Sequence, residues 1–82
     1  MFEIKYDKLF LKKFSKIKDK NLKKSIIKQV DKIITNPEMG KPMKYSRKGT
    51  RELYINPYRL VYTYIVVRNE IIFLDIYHKD KQ

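Results

Sequence analysis

The spacing of apolar residues changes period once along the chain, and that change constrains the fold more than any motif does. Over residues 8–35 apolar residues recur at three- and four-residue intervals. Phe10, Phe14 and Ile17 make one stripe, widened by Leu11, with Lys12, Lys13 and Lys16 opposite. Leu22, Ile26, Val30 and Ile33 make another, broadened by Ile27 and Ile34, with Lys23, Lys24, Lys28 and Lys32 on the solvent side. Over residues 50–77 the interval falls to two, and Tyr, Ile, Val and Leu dominate. Helical spacing followed by strand spacing, without interleaving, indicates an α+β domain.

Local signals place the boundaries. Asp7 is a helix cap, so a helix is expected over 8–18. Asp19-Lys20-Asn21 interrupts it, and a second helix over 22–35 ends at Asn36-Pro37, where the residue before proline leaves the helical region. Two helices with so short a joint form an antiparallel hairpin. Ahead of them, residues 2–6 alternate apolar and polar as a half-buried strand does. Residues 38–49 read as a loop. Strands follow over 51–55, 58–67 and 70–77, with turns at Asn56-Pro57 and at Arg68-Asn69, where Asn accepts a positive φ. The expected order is β-α-α-β-β-β, the helical hairpin covering one face of a small antiparallel sheet and the other face staying open. The length allows one domain, residues 1–82.

Charge narrows the partners. Lys and Arg number 20 against 9 Asp and Glu, a net charge of +11. Such a field favours an anion: nucleic acid, an acidic protein segment or an anionic membrane face. Cysteine is absent and His78 is the single histidine, so neither a disulfide framework nor a thiolate or histidine-cluster metal site can form. The acids are scattered, and there is no Gly-rich phosphate loop and no Ser/His/Asp signature; no metal and no cofactor are expected. No apolar run is long enough to span a membrane, and the first residues lack a signal-peptide core. A cytoplasmic protein without membrane contact is the expectation.

Three groupings carry possible chemistry. If Leu60 and Tyr62 face the helices, Arg59 faces the open side. There it either pairs with Glu52 or Asp75 on a neighbouring strand or forks onto a phosphate. The run Tyr77-His78-Lys79-Asp80-Lys81 follows the last strand; His78 is either a plain surface residue or a general acid or base. Lys44, Arg47, Lys48 and Arg51 lead into the strand region as either a solvated loop or a rail for a phosphate backbone, and seven tyrosines offer stacking surfaces.

The segments Asn36-Pro37-Glu38-Met39-Gly40-Lys41-Pro42, Gly49-Thr50-Arg51-Glu52-Leu53-Tyr54-Ile55, Tyr58-Arg59-Leu60-Val61-Tyr62 and Ile76-Tyr77-His78-Lys79-Asp80, in this order and spacing, resemble the RelE/ParE toxin superfamily. The resemblance implies a small sheet packed by an N-terminal helical hairpin and a toxin of a type II toxin–antitoxin pair. RelE-like members are ribosome-dependent endoribonucleases that cut mRNA without metal, by 2′-OH attack giving a 2′,3′-cyclic phosphate. ParE-like members share the fold and inhibit DNA gyrase; a plain basic RNA-binding module is a third reading. Carried over residue by residue, Arg59 and Lys79 hold the scissile phosphate and His78 is the acid or base. Tyr54 stands in the site where many members have Arg or Lys. Lys44, Arg47, Lys48, Arg51 and Lys81 support RNA binding. The partners implied are a cognate acidic antitoxin, mRNA and the ribosome. The toxin is a monomer or part of a toxin–antitoxin hetero-oligomer.

Overall fold

A computed structural model describes residues 2–81; Met1, Gln82 and the side chain of Lys81 lie outside the described residues. Strand β1 (Glu3–Tyr6) leads into helices α1 (Lys8–Ser15) and α2 (Lys20–Thr35). A two-residue β2 (Lys41–Pro42) then precedes β3 (Arg51–Ile55), β4 (Tyr58–Ile65) and β5 (Glu70–His78).

Both helices start where a carboxylate satisfies free N–H groups. Asp7 accepts from Leu9 at 3.1 Å, and Asp19 accepts from Asn21 at 2.9 Å and Leu22 at 3.2 Å. Helix α1 stops short of the expected 18. The Lys16 and Ile17 N–H groups bond back three residues, at 3.2 and 3.1 Å, which tightens the last turn and leaves Asp19 extended to cap α2.

The strand order is β1-β5-β4-β3-β2. Neighbours from β5 to β2 pair antiparallel, but β1 runs parallel to β5, with Ile4 opposite Ile71. The sheet is therefore mixed rather than wholly antiparallel. A short turn forces antiparallel pairing, and no turn joins β1 to β5: two helices and three strands separate them. The unforeseen β2 forms within the expected loop because Lys41 and Pro42 lie along Glu52 and Arg51; at a sheet edge proline withholds no ladder bond. Strand β4 ends at Ile65, earlier than expected, because Val66–Arg68 coils into a short 3-10 turn that closes on Asn69 at φ 52°. Asn69 takes the left-handed conformation its short polar side chain tolerates.

The helices and one sheet face enclose the core. Ile26, Ile33, Leu60, Tyr62, Ile71 and Phe73 are fully buried, each aliphatic side chain contributing roughly 2 kcal/mol. Leu11 and Ile27, expected in the helix stripes, are half exposed. Tyr62 also ties down the segment after α2. Its hydroxyl donates to the Pro37 carbonyl at 2.7 Å and accepts the Gly40 N–H at 2.9 Å. The approach is so close that a Cβ at Gly40 would lie 2.6 Å from that oxygen.

Candidate functional site

Strand alternation decides what meets on the uncovered face. Tyr54 pairs with Arg59, and Arg59 with Tyr77; two residues along, Glu52 pairs with Val61, and Val61 with Asp75. Six side chains in two cross-strand rows thus share that face.

In the first row Arg59 holds its guanidinium 5.7 Å from the centre of the Tyr54 ring. Lys79, in the turn after β5, brings its ammonium to 5.8 Å from the same ring. The Tyr54 hydroxyl donates to Asn56 at 2.8 Å, which fixes the ring as a platform for both cations. Arg59 spends little of its donor capacity: Nη1 lies 3.4 Å from Glu52, and the buried Nε has no hydrogen-bond partner among the described residues.

Glu52 is the hub of the second row. Its carboxylate is almost fully buried and accepts from Arg47 Nη1 at 2.8 Å and from the Tyr77 hydroxyl at 3.0 Å, besides the longer contact to Arg59. Arg47 Nη1 also donates to the Tyr77 oxygen at 3.0 Å. That hydrogen bond, together with the neighbouring Glu52 carboxylate, holds the Arg47 pKa above its ordinary value. On this face Arg47, Arg59, Lys79 and Lys13 stand against the carboxylates of Glu52 and Asp75, a positive excess. Beside it lies an open groove of about 430 Å³ lined by Lys13, Arg47, Thr50, Glu52, Val61 and Tyr77. Asp75 is bound to Lys13 at 2.9 Å, so of the two carboxylates expected for Arg59 only Glu52 meets it.

The structure brings together Arg47, Tyr54, Arg59 and Lys79. It does not bring His78 to them. Because Tyr77 shares the face of Arg59, the next residue of β5 points the other way; the His78 ring packs edge-on against Tyr58, with centroids 5.4 Å apart, on the helix side. Its Nδ1 accepts the Asp80 N–H at 3.2 Å. A separate groove there, about 820 Å³, shares only Lys13 and Tyr77 with the first. Arg51 also leaves the cluster: it lies on the core side of β3, and its Nη1 donates to the carbonyls of Glu38 at 2.9 Å and Gly40 at 2.8 Å, holding the loop rather than facing the groove. Lys44 and Lys48 stand exposed on either side of the turn Tyr45–Arg47. The Lys81 side chain lies outside the described residues.

Sequence reasoning named Glu52 only as a salt-bridge partner and missed that it also organises Arg47 and Tyr77. The signal was present in the alternation, which puts Glu52 on the face of Tyr54. Lys13 was missed because helical spacing gave it only as solvent surface. Among the described residues no three His, Asp or Glu side chains gather as a metal site, and no helix is long and apolar enough to cross a membrane.

The sequence model described as "ParE toxin of type II toxin-antitoxin system, parDE" matches residues 4–82. The chain belongs to the ParE toxin family. With it the RelE/ParE superfamily assignment stands, and the protein is a toxin of a type II toxin–antitoxin system. Comparison with curated proteins gives no match. Among solved structures the toxin is similar to the intact Escherichia coli RelBE toxin–antitoxin complex (TM-score 0.81, 15% identity, 100% of each chain covered). It is similar also to RelBE2 from Mycobacterium tuberculosis (TM-score 0.82, 16% identity, 94% of this chain and 96% of that one). The YoeB–YefM complex of Staphylococcus aureus matches at TM-score 0.75 and 24% identity, over 95% and 98%. At these identities the likeness speaks for the fold: two helices on a five-stranded mixed sheet.

Proposed function

We propose that the toxin is a ribosome-dependent endoribonuclease that cuts mRNA without metal, the open sheet face holding the scissile phosphate. The observation that supports this best is the meeting of Arg59 and Lys79 over one tyrosine ring, with Arg59 keeping unspent donors. A guanidinium fork and an ammonium are the donor types suited to a phosphodiester and to the extra charge of its phosphorane. In the reaction the 2′-oxygen attacks phosphorus and the P–O5′ bond breaks. The 2′-hydroxyl proton passes to water at the open face, and the 5′-oxygen takes a proton. We assign that last proton to the Tyr77 hydroxyl, which shares the face of Arg59 and turns from Glu52 to the leaving oxygen, rather than to His78, which lies on the other face. A phenol hydroxyl carries a proton that a departing alkoxide can take. The products are a 2′,3′-cyclic phosphate and a free 5′-hydroxyl. Lys44, Arg47 and Lys48 extend the positive surface along the RNA.

The similar structures from E. coli, M. tuberculosis and S. aureus are toxin–antitoxin complexes. By the same reading this toxin is held by a cognate acidic antitoxin, as a hetero-oligomer from which the monomer is released in the cytoplasm.

The test is purified toxin mixed with ribosomes carrying mRNA. Expected are A-site cuts with cyclic-phosphate ends, lost in Arg59→Gln and slowed about a hundredfold in Tyr77→Phe. His78→Ala keeps the rate within about threefold. The match to the ParE toxin model favours a second reading, inhibition of DNA gyrase. Intact mRNA together with blocked DNA supercoiling would replace the first reading by the second.

A further inference from the structure

Six of the seven tyrosines are engaged. Tyr6 stacks on Phe73, Tyr58 meets His78, Tyr64 meets Phe2, Tyr62 binds the Pro37 carbonyl, and Tyr54 and Tyr77 serve the cationic cluster. Tyr45 is different. It is 91% exposed, and its ring and hydroxyl meet no partner among the described residues. It also sits at φ 60°, in the left-handed region that bulky residues avoid.

The loop that carries this strained residue is pinned. Its backbone closes on itself at Lys48 N–H to Tyr45 O (3.0 Å) and at Met43 N–H to Thr50 O (3.0 Å). The Thr50 and Thr63 hydroxyls donate to the Arg47 and Gly49 carbonyls, each at 2.7 Å. Arg47, two residues from Tyr45, reaches down to Glu52 beside Arg59. The aromatic ring is therefore held out to solvent at a defined place, next to the cluster assigned to the phosphate. Residues 39–51 around it contain no Asp or Glu.

We propose that Tyr45 is a base-stacking residue: it holds one unpaired RNA base against its ring while the exposed Lys44 and Lys48 on either side meet the adjoining phosphates. The proposal rests on the nucleic-acid reading above. An exposed π-face between cations suits a nucleobase better than an acidic peptide, whose side chains would engage the cations and leave the ring idle. Stacking on one aromatic side chain is tolerant of base identity.

The test uses the full chain and a short single-stranded RNA protected from cleavage by 2′-O-methyl groups, with a series carrying one abasic position each. Tyr45→Ala is expected to weaken binding of the intact RNA about tenfold, while Tyr45→Phe binds as the parent does. One abasic RNA should bind the parent and Tyr45→Ala equally; the same loss at every abasic position would overturn the stacking assignment. Tyr45→Asn is expected to raise the melting temperature by about 4 °C, since Asn tolerates this backbone conformation. A lowered value would make the ring a packing residue and overturn the proposal. Unchanged RNA affinity in Tyr45→Ala, with weakened binding of polyglutamate as the acidic probe, would give the ring to a protein partner and also overturn it. In both of these cases the nuclease reading would stand. RNA binding absent from the parent itself would instead overturn that reading, and this proposal with it.

Discussion

Glu52 and Glu70 are the buried carboxylates among the described residues, and the toxin treats them in opposite ways. Glu70 lies where β1 meets β5 and takes Lys5 at 2.7 Å, with Glu3 and Arg68 as a second acid and base nearby, so anions and cations balance. The pair fastens the parallel edge strand. Glu52 lies on the open face and is shared by Arg47, Arg59 and Tyr77. Arg59 meets it only at 3.4 Å and keeps a buried Nε without a partner among the described residues. A buried ion pair matched one to one offers little to a ligand. A buried carboxylate outnumbered by cations pre-positions donors that a phosphate can take up.

The largest effect expected from this contrast is on activity. Arg59→Gln should slow RNA cleavage by about a hundredfold or more, while leaving the circular dichroism spectrum and melting temperature near those of the parent. Lys5→Gln should leave the cleavage rate unchanged. If both variants lose activity alike, with folding intact, the division between a structural and a functional carboxylate is broken.

A smaller effect separates the acids themselves. Glu52→Gln removes the countercharge of Arg47 and Arg59 while conserving shape. It should cost about 1–2 kcal/mol, less than the roughly 3–5 kcal/mol for breaking a fully buried pair, because both arginines are partly exposed. Added sulfate should recover much of the lost melting temperature by occupying the freed donors. In Glu70→Gln the ammonium freed is that of Lys5, itself half exposed and beside Glu3, and sulfate should recover little. Equal recovery in the two variants would show that no preformed anion seat exists at Glu52.

The contrast also marks how far the sequence could be read. The helices, the three-strand meander and the left-handed Asn69 followed from local chemistry: apolar spacing, capping aspartates and turn residues. The parallel direction of β1 did not, because its pairing with β5 depends on the path of the whole chain. At the site, alternation placed Arg59 on the open face, and the convergence of Lys79 followed the carried-over motif. The same alternation, applied through Tyr77, turns His78 to the other side. The carried-over motif selected His78 by its place after the expected last strand and passed over this. The role of Arg51 was hidden for a related reason: its partners are backbone carbonyls, which carry no mark in a sequence.

The smallest expected effect is the pH dependence of the structural pair. The hydrogen bond from Lys5 lowers the Glu70 pKa below its ordinary 4.5, and the same contact raises that of Lys5 above 10.5. A lowered carboxylate stabilises the fold above its unfolded value, and that stabilisation is lost as pH falls through the folded one. A raised ammonium stabilises the fold below its unfolded value and ceases to do so as pH rises through the folded one. Between these limits the contribution is flat. The melting temperature of the parent should therefore exceed that of Lys5→Gln by a constant amount through neutral pH, and the gap should close in strong acid as Glu70 is protonated. A gap that persists in acid would assign the effect to packing of the Lys5 stem over the sheet edge rather than to its charge.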